Sequence, residues 1–248
     1  MLEWRQTTPN LKEKPMKRCA LVLTLLLSAC AVSEKLFTSL PGESGSSQVL
    51  FDPENPVQHW LHQRFPQKER DTEYRVVFRE GKISVRAVGK LSASALYQRI
   101  DVDPNNCPFL EWEWRVETLQ ESADLQKKDT DDVAASISLI FGDPGFLSDF
   151  KFKPTVRYVW TNNGARVNDV IENPYINVVR SVVVQSGTIN AGTWVTERRN
   201  IVEDYRRAFG ERPKEAVERL VLFTDNDNTK EPVEAYYGKI WSLCGTGN

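Results

Sequence analysis

The sequence is poor in the residues from which several common sites are built. It has only two histidines, His59 and His62, which argues against a histidine-based catalytic triad or a zinc site with several histidines. Neither glycine pattern that cradles a phosphate, GxGxxG or GxxxxGK followed by Ser or Thr, occurs. The formal net charge is -2, so no basic excess points to a nucleic-acid partner, and we expect none.

Long hydrophobic runs are also missing. An apolar run at Cys19–Leu27 is too short to span a bilayer, which takes about 20 apolar residues. It follows the charged start "MKR" at 16–18 and therefore fits the hydrophobic region of a secretory signal. The ending "LSAC", closed by Cys30, resembles the lipobox of bacterial lipoproteins, in which cleavage before the cysteine frees its thiol for a lipid.

This resemblance implies a protein anchored in a membrane through lipid on Cys30. Residues 1–29 are then a signal peptide with an upstream extension, and Met16 is an alternative translation start. Ala31, rather than Asp, is similar to the pattern of outer-membrane-sorted lipoproteins, so we expect the outer membrane of the cell envelope, facing the periplasm or the exterior. Residues 30–48, rich in Ser and Gly, are predicted to be the lipidated tether.

Two cysteines, Cys107 and Cys244, remain in the chain after the lipid site. In an oxidising compartment a remaining pair of cysteines often forms a disulfide. We therefore predict a Cys107–Cys244 disulfide that joins the loop before one strand to the end of the last strand.

Residues 49–248 are predicted to form one β domain, because short β-like runs alternate there with turn residues. One helix is predicted in "NIVEDYRRAFG", where Ile201, Tyr205 and Phe209 form an apolar stripe and Gly210 suits the position after a helix. "VQHWLHQRFP", at 57–66, is predicted as a short helix or an irregular lead-in. With no βαβ rhythm, the pattern predicts an all-β fold with one short helix, an antiparallel β-sandwich of jelly-roll type. The predicted strands are Tyr74–Arg79, Lys82–Gly89, Ala95–Val102, Phe109–Glu117, Asp132–Phe141, Thr155–Thr161, Ile176–Val184, Thr193–Asn200, Glu218–Thr224 and Glu234–Leu243.

The stretch "LEWEWRVE", at 110–117, alternates apolar and charged residues. Period two places Trp112 and Trp114 on one face, which predicts that they pack in the core rather than form a sugar-stacking platform. The run at 132–141 is predicted to behave alike, with Asp132, Ser136 and Ser138 on a polar outer face.

The other face of this stretch carries Glu111, Glu113 and Arg115. Two carboxylates whose Cα atoms are about 7 Å apart on a strand suit the scale of glycoside hydrolysis. Sandwich glycosidases usually carry a third acid where Arg115 stands, so a solvated charged face is the simpler interpretation.

The segment "TDNDNTKEP", at 224–232, is the densest polar cluster. Its oxygens are hard ligands that suit Ca²⁺, the only cofactor the sequence suggests, although the EF-hand pattern is absent. The alternative is a turn at a strand end, because Asp and Asn bond to their own backbone in turns. The candidate ligands are Asp225, Asp227, Asn228 and Thr229.

Two further polar clusters flank predicted strands. "KKDTDD" contributes Asp131 and Asp132, and "WVTERRNIVEDY" contributes Arg198 and Arg199, which can bind carboxylates or sugar acids. The alternatives are a solvated loop and local ion pairs at a strand-to-helix junction.

Several stretches in one order resemble the DUF3047 family of bacterial proteins of unknown function. They span residues 72–241 and are "TEYRVV", "SVRAVGKLSASALYQRIDVDP", "LEWEWRV", "DDVAASISLIFG", "VRYVW", "RRNIVEDYRRAFGERP" and "LVLFTDNDNT" followed by "AYYGKIW". The resemblance implies a β-sandwich similar to carbohydrate-binding jelly rolls, and because the family has no assigned activity, no catalytic residues can be carried over from it. It also draws attention to the polar positions at strand ends, for which the alternative to a binding site is a structural network with Asp131 or Asp132 paired to Arg198 or Arg199.

Together these observations favour a membrane-anchored, non-catalytic β-sandwich that binds a glycan or another envelope component. A polysaccharide-processing enzyme, a hydrolase or lyase, is the first alternative, using Glu111 with Glu113, or Asp131 and Asp132 with Arg199. A structural lipoprotein that docks other envelope proteins is the second.

Overall fold

The computed structural model describes residues 46–55, 60–145, 151–162 and 164–245. The predicted signal peptide, the lipid site Cys30, most of the tether and His59 lie outside the described residues. Everything described belongs to one compact unit, Pro41–Asn248. Within it, no helix has both the length and the apolar character needed to cross a membrane.

Thirteen strands and one α-helix make up the described chain. In order they are β1 (Ser47–Phe51), β2 (Leu61–Arg64), β3 (Glu73–Arg79), β4 (Lys82–Gly89), β5 (Ala93–Val102), β6 (Phe109–Thr118), β7 (Ala135–Phe141), β8 (Thr155–Thr161), β9 (Val170–Glu172), β10 (Val179–Ser186), β11 (Val195–Asn200), α1 (Ile201–Phe209), β12 (Val217–Asp225) and β13 (Val233–Leu243). A short 3-10 turn covers Lys128–Thr130.

Two sheets form the β-sandwich of jelly-roll type that the sequence predicts. Sheet A has the order β11-β6-β13-β4-β3, with β1 also paired to β13. Sheet B has the order β2-β5-β12-β7-β8-β10-β9. The neighbouring strands described are antiparallel except β8 and β10, which run parallel.

The main core lies between the sheets and contains the two tryptophans of β6. Trp112 stacks on Tyr158 of β8 at a centroid distance of 5.1 Å, and Trp114 packs against Trp160 at 5.8 Å. Both β6 tryptophans are fully buried, which confirms the prediction that they belong to the core. Burial of an aromatic side chain of this size contributes about 4 to 6 kcal/mol, so this row joins the two sheets strongly.

Helix α1 has the bounds that its apolar stripe predicts. The side chain of Asn200 accepts hydrogen bonds from the backbone N–H groups of Val202 and Glu203, which caps the amino end. Gly210 has a φ of 81° and ends the helix in the left-handed conformation. Tyr205 packs on Phe141 of β7 at 4.6 Å, so the helix closes one side of the core.

Three short strands differ from the prediction. β1 begins at Ser47, two residues inside the segment predicted as tether. β2 lies in the segment predicted as a helix or irregular lead-in, and it pairs with β5. That prediction is wrong because the sequence of β2, LHQR, has no apolar alternation, and pairing with a distant strand decides its structure. β9 has only three residues and was not predicted.

A disulfide joins Cys107 and Cys244, which are 137 residues apart in the chain. Cys107 precedes β6 and Cys244 follows β13, and these two strands are neighbours in sheet A. The bond therefore closes the end of sheet A at which β1 starts, because the backbone N–H of Cys244 donates to the carbonyl of Ser46 at 2.8 Å.

Candidate functional site

The outer face of sheet B is covered by loops on two sides, and a groove remains between the covered parts. One cover is an apolar cluster of Leu125, Val133 and Ile171 on Val159 and Val183. The other joins Phe65 and Phe223 to three buried residues of the sheet, Ala95, Ile140 and Val221. These covers explain why β7 and β8 bury both of their faces.

Ser136 and Ser138 lie on the face of β7 away from the main core, as the alternation predicts, but this polar face is not open to solvent. Ser136 is fully buried and Ser138 is buried at the floor of the groove. Asp132 is also buried and lies before the strand. The strand itself begins only at Ala135.

The groove has a volume of about 570 Å³. Its floor is formed by side chains of β5, β7, β8, β10 and β12, and its rim by the segments that follow β2, precede β7 and follow β9 and β12. The floor contains Ser138, Ile140, Thr155, Arg157, Val179, Val221 and Phe223, and the rim contains Lys68, Asp131, Asn173, Tyr175, Asp225 and Asp227. The groove thus combines an apolar bed with a few charged and amide groups.

Arg157 is the positive charge on the floor of the groove. Its Nε donates to the Ser181 hydroxyl at 2.9 Å, and its Nη2 donates to Asp131 Oδ1 at 3.4 Å. Both partners of this ion pair are almost completely buried. Because each position is fixed by a neighbouring strand or loop, the guanidinium is held in place at the bottom of the groove.

Asp131 lies at the edge of the groove above Arg157. Its Oδ2 accepts a hydrogen bond from Asn173 Nδ2 at 2.8 Å. Burial raises the pKa of the Asp131 carboxyl above its usual value, and the attraction of Arg157 offsets this only in part. The Asp131 carboxyl, which lines the groove, is therefore less easily ionised than an exposed aspartate.

Three carboxylates meet at one end of the groove. One oxygen each of Asp132, Asp225 and Asp227 lies within 4.8 Å of the other two. Burial raises the pKa of Asp225 well above its usual value, and the neighbouring charge of Asp132 raises it further. Asp225 Oδ1 accepts the backbone N–H of Val133 at 2.7 Å, which fixes its position.

Lys68 reaches this cluster from the segment after β2. Its ammonium group donates to Asp227. Burial acts to lower the pKa of Lys68, but the hydrogen bond and the charge of Asp227 outweigh it, so the pKa is raised. One end of the groove is thus a cluster of acids with a single lysine ammonium group placed against it.

The predicted calcium ligands are only partly brought together. Asp225 and Asp227 share the cluster, and Asp132, which the sequence placed in another candidate set, joins them. Asn228 and Thr229 instead hold Asp132, because their backbone N–H groups donate to its carboxylate at 3.2 and 2.6 Å. The Thr229 hydroxyl donates to the same carboxylate at 2.6 Å. The segment therefore forms the turn that was the alternative interpretation, and Ca²⁺ stays a prediction.

Glu111, Glu113 and Arg115 lie on β6 in sheet A, whereas the groove is formed by sheet B. Glu113 accepts a hydrogen bond from Lys82. Arg115 is buried and pairs with Glu80 at 2.6 Å and with Glu117 at 2.8 Å. Glu113 and Arg115 are thus tied into an ion-pair network on the outer face of sheet A.

Arg198 and Arg199 lie on β11, also in sheet A. Arg199 makes two hydrogen bonds to Asp204 of α1, at 2.8 and 2.6 Å. Arg198 lies over the ring of Phe109 with 4.8 Å between its guanidinium carbon and the ring centroid. The expected pairing with Asp131 or Asp132 is wrong for Arg199, because Asp131 pairs with Arg157 and Asp132 accepts backbone N–H groups.

Sequence reasoning missed several groove residues, among them Arg157, Asn173 and Tyr175. Arg157 had a visible signal, since it is the one charged residue in the apolar strand "TVRYVWT". A charge in a strand buried on both faces must have a partner or a function. Asn173 and Tyr175 follow a strand too short to be recognised.

Residues 58–241 match DUF3047, a family described as a protein of unknown function. The chain belongs to this family. No curated protein matches the sequence.

Solved structures with a similar course of the chain are distant in sequence. The family 11 carbohydrate-binding module of the cellulosomal cellulase Lic26A-Cel5E of Clostridium thermocellum is 8% identical, with a TM-score of 0.43 over 81% of this chain and 95% of that chain. The same type of module in complex with a β-1,3-1,4-mixed-linked tetrasaccharide is 10% identical, with a TM-score of 0.41 over 81% and 96%. The glycoside hydrolase domain of Endo-D from Streptococcus pneumoniae R6 is 10% identical, with a TM-score of 0.34 over 76% and 22%.

Proposed function

We propose that this DUF3047 protein is a lipid-anchored envelope protein that binds a glycan in the groove of sheet B without catalysing a reaction. The groove carries the proposal. Binding sites for small molecules are concave, mostly apolar and equipped with a few placed polar groups, and the groove has all three properties.

The groups around the groove suit the two kinds of surface that a sugar presents. Apolar and aromatic side chains, with Tyr175 at the rim and Phe223 on the floor, can contact the C–H faces of sugar rings. Asp131 can accept further hydrogen bonds and Arg157 can donate, which matches hydroxyl groups. The Asn173 oxygen already accepts two backbone N–H groups, so its amide offers a ligand only the second N–H of Nδ2, beside the one given to Asp131. A glycan uses both sets at once, so it fits the lining better than a purely apolar ligand does.

Tyr175 provides the sharpest test because its side chain is 57% exposed, so its loss costs little stability. The compact unit, residues 41–248, contains both sheets and their core and is suited to a glycan array followed by calorimetry on any hit. We expect Tyr175→Ala to weaken binding at least tenfold through the lost ring contact, and Tyr175→Phe to retain it.

Phe152→Ala is the matched control. Phe152 is a 70% exposed aromatic residue that does not line the groove, so its variant should bind like the parent. Absence of binding to envelope and environmental polysaccharides, or equal loss in both alanine variants, would count against the proposal.

The membrane anchor is a separate part of the proposal and rests on the sequence "MKRCALVLTLLLSAC". A Cys30→Ser variant of the full chain should move from the membrane fraction to the soluble fraction and should lose incorporation of labelled palmitate. A variant that stays in the membrane fraction would contradict the lipid anchor but would not bear on glycan binding in the groove.

A polysaccharide-processing enzyme is the alternative function, and analysis of the glycan after binding distinguishes the two. The sets expected from the sequence are not found in the groove. Glu111 and Glu113 lie on sheet A, outside it. Asp132 holds a turn, and Arg199, on sheet A, pairs with Asp204. Asp131 and Asp225 do line one groove, with their pKa values raised. New reducing ends or unsaturated products after incubation with a bound glycan would favour the enzyme.

A further inference from the structure

The strands at the four ends of the two sheet paths differ in how well they are protected against pairing with another chain. In sheet B the end strands are β2 and β9, with four and three residues. In sheet A, β11 has six residues and runs directly into helix α1, while β3 has seven residues. Natural sheets protect their edges with short strands, charges or covering elements, because an open edge pairs with other strands. β3 is therefore the longest of the four end strands.

β3 also exposes apolar side chains. Val76 is 46% exposed and Phe78 is 74% exposed, and alternation places both on the same face of the strand. Ile83 of β4, which lies opposite Phe78, is also exposed. Within the described part of the chain, β3 pairs only with β4. The edge thus offers both unpaired backbone groups and an apolar row.

We propose that β3 pairs with β3 of a second copy of this chain, antiparallel and with Val76 on the two-fold axis. This arrangement places Tyr74 opposite Phe78 of the other copy, so the apolar row continues across the junction. It places Glu73 opposite Arg79 of the other copy, so opposite charges face each other at each end of the strand. Within one copy Glu73 already pairs with Arg75, and Arg79 with Glu117, so this contact joins existing ion pairs. Cross-strand pairs of both kinds stabilise a sheet.

The charges of β3 select this register over its neighbours. A two-fold axis at Arg75 puts the two Arg75 side chains opposite each other. An axis at Val77 puts Arg75 opposite Arg79. Like charges directly opposite each other destabilise a sheet, whereas the axis at Val76 places Arg75 opposite Val77. Among these three central registers, the one centred on Val76 alone avoids an Arg–Arg contact.

The proposal is tested by the mass of residues 41–248 in solution, measured by sedimentation equilibrium up to about 1 mM, the weak limit of specific association. We expect a concentration-dependent dimer. Val76→Arg places two like charges at the axis and should raise the dissociation constant at least tenfold. Val167→Arg changes a valine of similar exposure, 51%, at a turn outside β3 and should leave it unchanged.

A single cysteine tests the register directly. Opposite Cα atoms in an antiparallel pair are about 4.5 to 5.5 Å apart, within disulfide range, so Val76→Cys should form a disulfide-linked dimer on oxidation. Phe78→Cys should not, because the two copies of residue 78 are four residues out of register. A protein that stays monomeric throughout, a dimer that Val76→Arg leaves intact, or equal cross-linking of both cysteine variants would each overturn the proposal.

Discussion

The outer faces of the two sheets hold their carboxylates in different ways. On sheet A, Glu113, Glu117 and Glu234 each meet a Lys or Arg from another strand of the same sheet. The bidentate Arg86–Glu234 pair joins the neighbouring strands β4 and β13 and has both N–O distances at 2.9 Å. On sheet B, Asp132 and Asp225 accept backbone N–H groups beneath covering loops. Hydrogen bonds from Arg86 lower the pKa of Glu234, whereas burial raises the pKa of Asp225 although it accepts a backbone N–H group.

The charged groups on the outer face of sheet A have their partners within the sheet, whereas those on the outer face of sheet B border a groove. The ion pairs of sheet A satisfy one another within the sheet. The acids of sheet B are partly desolvated, and Asp131 and Asp225 line a groove that a ligand can enter. Perturbed carboxyls in a groove are typical of functional sites, whereas paired charges on an open face are typical of solvated surface.

The largest expected effect comes from removing one carboxylate from each face. Asp132→Ala leaves the N–H groups of Asn228 and Thr229 without their acceptor and should lower the free energy of unfolding by about 3 kcal/mol. Glu113→Ala breaks a partly exposed ion pair with Lys82 and should cost less than about 1 kcal/mol. Urea denaturation of both variants measures the difference.

Asp132→Asn is the control for this pair of variants. It keeps one acceptor oxygen for the turn and should lose less stability than Asp132→Ala. Equal losses for Asp132→Ala and Glu113→Ala would remove the distinction between the two faces.

The pH dependence of stability should have opposite signs on the two faces. Burial, and then repulsion by Asp132, raise the pKa of Asp225, so the folded state binds this proton more tightly than the unfolded state. The free energy of unfolding therefore falls as pH rises from the usual value of 3.8 through the folded-state pKa. Asp225→Asn lacks this titration, so its free energy of unfolding should rise relative to that of the parent as pH rises.

Glu234 should behave in the opposite way. Hydrogen bonds from Arg86 lower its pKa, so its contribution is present above the usual value of 4.5 and is lost as pH falls through the folded-state pKa. Glu234→Gln should therefore fall further behind the parent as pH rises. Denaturation curves from about pH 3 to 8 show both trends, and parallel trends for the two variants would contradict the assignment.

The smallest effect concerns Ca²⁺ at the acid cluster of sheet B. An ion that binds only the folded state raises its unfolding midpoint, and a chelator reverses the gain. Asp227→Asn should abolish the gain, and Lys68→Met should enlarge it, because the ammonium group no longer competes for Asp227. Mg²⁺ is the control, since it demands a stricter geometry. A midpoint independent of Ca²⁺ in all three proteins would end the calcium prediction.

Local patterns in the sequence were sufficient to predict the fold but not to predict the groove. The alternation around Trp112 and Trp114 places them in the core because period two directly reports which face is buried. The same rule gives the correct face for Ser136 and Ser138 but not their burial, since segments from distant parts of the chain enclose that face. No local pattern contains that information.

The candidate site was predicted in pieces. Asp131, Asp132, Asp225 and Asp227 stood out as polar clusters at strand ends, and all four lie at one end of the groove or directly beneath it. Their partners did not follow from the sequence, because Arg157 comes from a different strand and is 26 residues from Asp131 along the chain. Charge pairing across a sheet depends on strand order, which the sequence alone does not give.

The position of the disulfide has a mechanical consequence. Ser47 of β1 lies opposite Leu243, beside the bond that holds Cys244 to Cys107. A pull on the chain before Ser47 that is directed away from β13 therefore loads the first rung of the β1–β13 ladder and opens the ladder one rung at a time. The covalent link keeps the end of β13 fixed to the start of β6, so β1 can peel away under load while the other strands of sheet A keep their places.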